Sequence, residues 1–122
     1  MIGIINDFGR ALLSVLLRSS RDDFSQPLDV WIDTGFTGEL VLPHRVIESL
    51  RLQKSGSVDA ILADGSGIEL STFTCFVDWF DTKRRVEVVE NEGDRALLGV
   101  GLLLGCELCA NYRTLSLTLS PG

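Results

Sequence analysis

The segment Leu28-Asp29-Val30-Trp31-Ile32-Asp33-Thr34-Gly35-Phe36-Thr37-Gly38 decides how this chain is read. Leu28, Val30 and Ile32 alternate with Asp29 and Trp31, so they share one face of a short strand. Asp33-Thr34-Gly35 then ends that strand in a turn that glycine keeps tight. A carboxylate at the end of a buried strand is badly solvated, which makes Asp33 a functional candidate. The competing account is an ordinary strand-end turn, since Asp-x-Gly is common turn chemistry.

Strand signals dominate on both sides of this segment. Met1 to Ile5 and Ala11 to Leu17 are apolar runs joined by Asn6-Asp7-Phe8-Gly9, which predicts a hairpin. Arg18 to Pro27 is polar and reads as a surface connection. Glu39 to Leu42 predicts a short strand. Pro43 stands where a helix starts, and Val46, Ile47 and Leu50 have helical spacing. His44 falls in the first turn of that helix and reads as a surface or capping residue.

Ser57 to Ala63 and Ile68 to Trp79 flank Ala63-Asp64-Gly65-Ser66-Gly67, a strong hairpin signal. In the second arm, alternation puts Phe73, Cys75, Val77 and Trp79 on one face and Thr72, Thr74, Phe76 and Asp78 on the other. A further turn at Asp81-Thr82-Lys83 leads into Arg85 to Val89, so the basic cluster Lys83-Arg84-Arg85 reads as a solvated hairpin tip. Asn91-Glu92-Gly93-Asp94 is a loop, and Ala96 to Gly105 is strongly apolar for its glycine content. Arg113 to Leu119 alternates, with Leu115, Leu117 and Leu119 on one face. The expectation is a mostly β chain with one or two short helices, forming a single domain over residues 1–122.

A net charge of −6 disfavours nucleic acid or an anionic membrane surface as partner, since both require clustered Lys and Arg. No apolar run reaches the length of a membrane span. Asp7 and Arg10 interrupt the N-terminal apolar stretch, which therefore does not read as a signal peptide. Three cysteines, an odd number, do not make a disulfide framework and are expected as free buried thiols in a reducing, cytoplasmic setting. Cys106 and Cys109 have CxxC spacing, but a structural zinc site needs a second pair and only Cys75 and His44 remain.

The motifs stand in a recurring order. Val30-Trp31-Ile32-Asp33-Thr34-Gly35 is followed by the hairpin Leu62-Ala63-Asp64-Gly65-Ser66, and then by Ala96-Leu97-Leu98-Gly99. This set resembles the retropepsin-like aspartic proteases, in which strands lead to Asp-Thr-Gly, a flap hairpin follows, and an apolar-apolar-Gly motif packs behind the active-site turn. Asp33 to Gly38, Leu42-Pro43 and Leu62 to Ser66 look most like the short prokaryotic single-lobe members. The resemblance covers about Met1 to Leu119.

The resemblance implies a single-lobe closed β-barrel and a homodimer, because the chain carries one Asp-Thr-Gly and the chemistry needs two carboxylates. Two carboxylates about 3 Å apart share one proton, since both cannot ionise at that distance. The ionised one deprotonates a water that attacks the scissile carbonyl, and its protonated partner stabilises the oxyanion. Asp33 would supply the carboxylate, Thr34 would tie the two turns together, and Gly35 would let them approach. Phe36, Ala63, Asp64, Gly65 and Ser66 are the expected substrate-binding residues, and Thr37, Leu97, Leu98 and Gly99 the expected support. The substrate would be a peptide or protein, and neither metal nor organic cofactor is implied.

Two positions depart from the pattern. Phe36 stands where pepsin and the retroviral enzymes have Ala or Ser, and it cannot donate a hydrogen bond to the carboxylate, so a less acidic optimum than pepsin's is expected. Val100 stands where retroviral enzymes carry a dimer-bracing Arg. Both leave open a second class, a non-catalytic dimerisation or peptide-binding module on the same fold.

Overall fold

A computed structural model describes every residue, Met1–Gly122. The chain folds into ten strands and two short helices. Strands β1 (Ile2–Ile5) and β2 (Ala11–Arg18) form the expected hairpin. Its turn is fixed by Asn6, whose Oδ1 accepts from the amides of Phe8 and Arg10 at 3.0 and 2.9 Å. Leu13, Val15 and Leu17 of β2 are buried while Ser14 and Leu16 face out.

β3 (Gln26–Ile32) pairs antiparallel with β2 and buries Val30 and Ile32. β4 (Leu40–Pro43) runs into helix α1 (His44–Leu50), which buries Val46 and Ile47 and ends at Arg51 in the left-handed region. β5 (Gln53–Ile61), β6 (Gly67–Trp79) and β7 (Thr82–Asn91) form a long antiparallel meander. β8 is only Leu97–Leu98, followed by α2 (Val100–Leu103), β9 (Cys106–Asn111) and β10 (Ser116–Pro121).

The strand order is β5-β6-β7-β4-β8-β3-β2-β1-β10-β9, and β2 also pairs with β6. Six strands therefore close a ring whose seam is two residue pairs, Leu17 with Val77 and Arg18 with Phe76. The Arg18 guanidinium secures that seam by gripping both carboxylate oxygens of Asp78 at 2.9 Å. Inside the ring Leu40, Leu42, Leu98 and Leu102 are fully buried, each contributing roughly 1.5–3 kcal/mol.

Two-residue β8 is the centre of the topology. It pairs parallel with β3, through Trp31 with Leu97 and Ile32 with Leu98, and antiparallel with β4, through Leu40 with Leu98 and Val41 with Leu97. The turn from β3 to β4 must therefore wrap around Leu98 and the residues after it.

Several local expectations are corrected. The β6–β7 turn is Phe80-Asp81, one residue earlier than read, because Trp79 pairs with Thr82 and Phe80 takes a positive φ of 55°. Arg84 is consequently not at a solvated tip: it lies within β7 and donates to Glu39 and to the Gly101 carbonyl, each at 3.3 Å. Thr72 is buried and Phe73 only half so, the reverse of strict alternation. A bulge between Lys54 and Gly56 shifts the register, and Ser55 Oγ satisfies the buried Thr72 hydroxyl at 2.9 Å. Leu115 leaves the face of Leu117 and Leu119 because it sits in the β9–β10 turn at φ 57°. Of the three thiols only Cys75 is buried, and burial pushes it up to about 11, whereas Cys109 is exposed. Cys106 and Cys109 are three apart on β9, so they point to opposite faces.

Candidate functional site

Asp33 follows Ile32, the last residue of β3. Its amide donates to the Leu98 carbonyl at 2.9 Å, which extends the β3–β8 ladder by one bond and fixes where the turn begins. Its Oδ1 accepts from the Gly35 amide at 2.9 Å, so the carboxylate is oriented by its own turn. Asp33 is half-buried, while Thr34 and Gly35 are exposed at the tip.

Residues 36–39 lie against 99–101 through backbone bonds. Val100 N–H donates to Phe36 O at 2.8 Å, Gly99 N–H to Glu39 O at 2.9 Å, and Gly101 N–H to Gly38 O at 2.9 Å. This close approach explains the glycine at 99: a Cβ there would clash first with the Gly38 carbonyl oxygen and would lie 2.5 Å from Phe36 Cδ2 and 2.6 Å from Phe36 O. Glu39 adds a side-chain tie. Its Oε1 accepts from the Glu87 amide at 2.9 Å and its Oε2 from Arg84 at 3.3 Å, so β7 also braces the turn.

Clefts open on the two sides of the turn. One, of about 370 Å³, is lined by Trp31, Ile32, Asp33 and Thr34 from β3 and its turn, by Asn91 at the end of β7, by Arg95 from the loop before β8 and by Leu97 of β8. The other, of about 460 Å³, is mostly apolar and shares Asn91 and Leu97 with the first. Its walls are Phe36 from the turn, Ala60, Leu62, Ile68 and Leu70 from the β5–β6 hairpin, and Val41 and Val89 from the strands beneath. A groove beside Phe36, Thr37 and Gly38 continues along Val58, Ala60 and Leu70.

The structure thus brings Asp33, Thr34, Gly35, Phe36, Thr37, Leu97, Leu98 and Gly99 together. The hairpin tip is different. Ala63, Asp64, Gly65 and Ser66 are exposed, and the cleft walls are instead the residues flanking them. Asp64 braces the tip, accepting from the Ser66 amide at 2.9 Å and from the Ser66 hydroxyl, which hold its carboxyl below the usual range. Gly65 takes φ 86° there. Phe36 does not line the Asp33 cleft. Its ring folds back over Gly38, where a Cβ would meet Phe36 Cε1 at 2.9 Å, and forms a wall of the apolar cleft.

Leu62 stands in the hairpin motif but, like Ala60, Ile68 and Leu70, not among the substrate-binding residues expected from sequence, although the period-two spacing of each pair carries the signal. Arg95 carried none. His44, read as a surface or capping residue, bonds Glu90 Oε1 at 2.7 Å and Glu48 Oε1 at 3.0 Å, and the Glu90 hydrogen bond, with the Glu48 charge next, raises its pKa.

Neither a protein-family model nor a curated protein matches the sequence. Solved structures do. A retropepsin-like aspartic protease from Rickettsia conorii aligns with a TM-score of 0.70 at 15% identity, covering 99% of this chain and 89% of that one. EIAV protease complexed with the inhibitor HBY-793 aligns with a TM-score of 0.62 at 20% identity, covering 81% and 89%. The retroviral protease-like domain of Ddi1 from Leishmania major aligns with a TM-score of 0.51 at 15% identity, covering 90% and 92%. The chain has the retropepsin-like fold. No helix in it is long and apolar enough to cross a membrane.

Proposed function

We propose that this retropepsin-fold chain is one half of a homodimeric aspartic endopeptidase, with Asp33 of each subunit forming the dyad. The observation that carries the reading is the placement of Asp33. Its carboxylate is oriented by the Gly35 amide, on a turn tied by backbone hydrogen bonds to Leu98 through Gly101, at a cleft that shares Asn91 and Leu97 with the one walled by the β5–β6 hairpin. Such rigidity suits a group that must meet a second carboxylate at about 3 Å and share its proton. Thr34 and Gly35, exposed at the tip, are the residues that would face the partner turn.

An extended peptide would lie between the turn and the β5–β6 hairpin, pairing main chain to main chain. The apolar cleft walled by Phe36, Leu62, Ile68 and Val89 would take an apolar side chain. Leu97, Leu98, Gly99 and Thr37 act as support for the turn, and the ring of strands acts as one lobe over residues 1–122. No metal or cofactor enters this mechanism.

A second reading, a peptide-binding module without hydrolysis, draws on Phe36, whose ring is a cleft wall and offers no hydrogen bond to Asp33. One experiment separates them: cleavage of a diverse peptide mixture by wild type and by Asp33→Asn, from acid to neutral pH. Cutting by wild type alone, with a bell-shaped pH profile, is expected. Equal cutting by both, or by neither, would sink the hydrolytic reading.

A further inference from the structure

We propose that Arg95 is a specificity-determining residue that selects substrates carrying an acidic side chain next to the scissile bond. The inference rests on the reading of the Asp33 cleft as a peptide-binding site and names the substrate class.

Arg95 and Asp33 are the two charged residues lining that cleft. The Arg95 guanidinium stacks on Trp31, with Cζ 5.2 Å from the ring centroid. Arg10 stacks on the same ring at 4.8 Å. The chain has 17 Asp and Glu against 11 Lys and Arg, so carboxylate partners are plentiful. Other arginines close ion pairs: Arg18 holds Asp78, Arg84 holds Glu39, and Arg45 reaches Asp94, the neighbour of Arg95. Neither Arg10 nor Arg95 has a carboxylate within 4.0 Å.

Asp29 and Asp94 line the neighbouring cleft that Arg10 and Arg95 share with Trp31, yet neither carboxylate comes within 4.0 Å of these guanidiniums, so both forks rest on one indole without a closed ion pair. The indole restrains the Arg95 fork before any ligand arrives, so little further order is lost on binding. The chemistry that completes such a fork is a carboxylate, taken in a bidentate, charge-assisted bond. Trp31 and Leu97, on the same cleft wall, suit the methylene stem of Glu or Asp.

The test uses pools of random decapeptides matched except for Glu, Gln or Lys fixed at one position. Wild type is expected to cut the Glu pool about fivefold faster in kcat/KM at one position. In Arg95→Gln that ratio falls to about one, Arg95→Lys restores part of it, and Arg95→Glu turns the preference towards Lys. Binding is read separately by titrating the same pools into Asp33→Asn protein, where the Glu preference must also appear and must vanish in Asp33→Asn/Arg95→Gln. Binding with that preference but no cutting by wild type sinks the hydrolytic reading and leaves the Arg95 assignment standing. Cutting without any acidic preference, or a preference that survives Arg95→Gln, overturns the assignment and leaves hydrolysis standing. Loss of the dimer in Arg95→Gln with the substrate ratio unchanged would assign Arg95 to a carboxylate of a second copy, and also overturns it. No binding and no cutting overturns both.

Discussion

The Asp33 amide donates to the Leu98 carbonyl at 2.9 Å, and this bond places the candidate catalytic carboxylate. It makes Asp33 the first residue beyond the β3–β8 ladder, so the strand register sets the carboxylate's position and the Gly35 amide sets its orientation.

Asp33→Asn should therefore keep the fold and lose the chemistry. The amide oxygen of Asn can still accept from Gly35, so the thermal midpoint should move by only about 2 °C. The loss in kcat should be about 10²–10⁴-fold or more, the range of general acid–base catalysis. A variant that folds and cuts at the wild-type rate would remove Asp33 from the mechanism.

Gly99→Ala should destabilise the turn itself. The added Cβ meets both the ring and the carbonyl oxygen of Phe36, so relief requires moving backbone and not just a side chain. A cost of about 1–3 kcal/mol is expected, read as a lower urea midpoint with an unchanged slope. Adding Phe36→Ala should recover only part of it, because the carbonyl oxygens of Gly38 and Phe36 remain. Full recovery would show that the ring alone made the contact.

Activity per chain should fall on dilution, since one chain carries one Asp33. Sedimentation should show the same transition over the same concentrations. Gly35→Val should abolish activity by two routes, by obstructing the partner turn and by crowding Asp33 Oδ1, which a Cβ would approach to 3.1 Å. Full activity from a species that sediments as a monomer would end the dimer reading.

His44 gives a pH signature that does not involve the dyad. Its pKa is raised in the fold, by the Glu90 hydrogen bond first and then by the Glu48 charge. A raised folded-state pKa means that the protonated form is favoured by folding. Its contribution is complete below the unfolded value near 6.5 and is lost as pH rises through the folded value. Wild type should thus exceed His44→Gln in stability by more at about pH 5.5 than at about pH 8.5. A gap independent of pH, measured by urea denaturation, would show that the ion pairs contribute nothing.

Much of this was legible before any coordinates. Asn6 and Gly9 announced the first hairpin, and Asp64-Gly65 the long one, because turn chemistry acts within four residues. Leu28, Val30 and Ile32 announced β3 through period two, although Leu28 is only half-buried at the strand's start. Alternation failed at Thr72, where Ser55 in the opposite strand inserts a bulge that no local pattern in β6 records. Arg84 was misread for a related reason: a turn displaced by one residue moves a whole arginine from a tip into a strand. In the hairpin Leu62 to Ser66 the turn chemistry marks the tip, whereas the residues that wall the apolar cleft are Ala60, Leu62, Ile68 and Leu70 on its arms. Which side chains face inward depends on how the hairpin leans over Phe36, and that is a tertiary fact.

The sequence by itself determined the first hairpin, strand β3, helix α1, the long hairpin, the order of the motifs and Asp33 as the candidate carboxylate, because strand period, turn residues and glycine positions are short-range properties. Tertiary structure alone decided that β8 threads between β3 and β4, that Gly99 must lack a side chain under Phe36, and that Arg95 stands with Trp31 in the Asp33 cleft. Those pairings join residues far apart in the chain, and their geometry follows from packing around Leu98 and Leu40 rather than from any local preference.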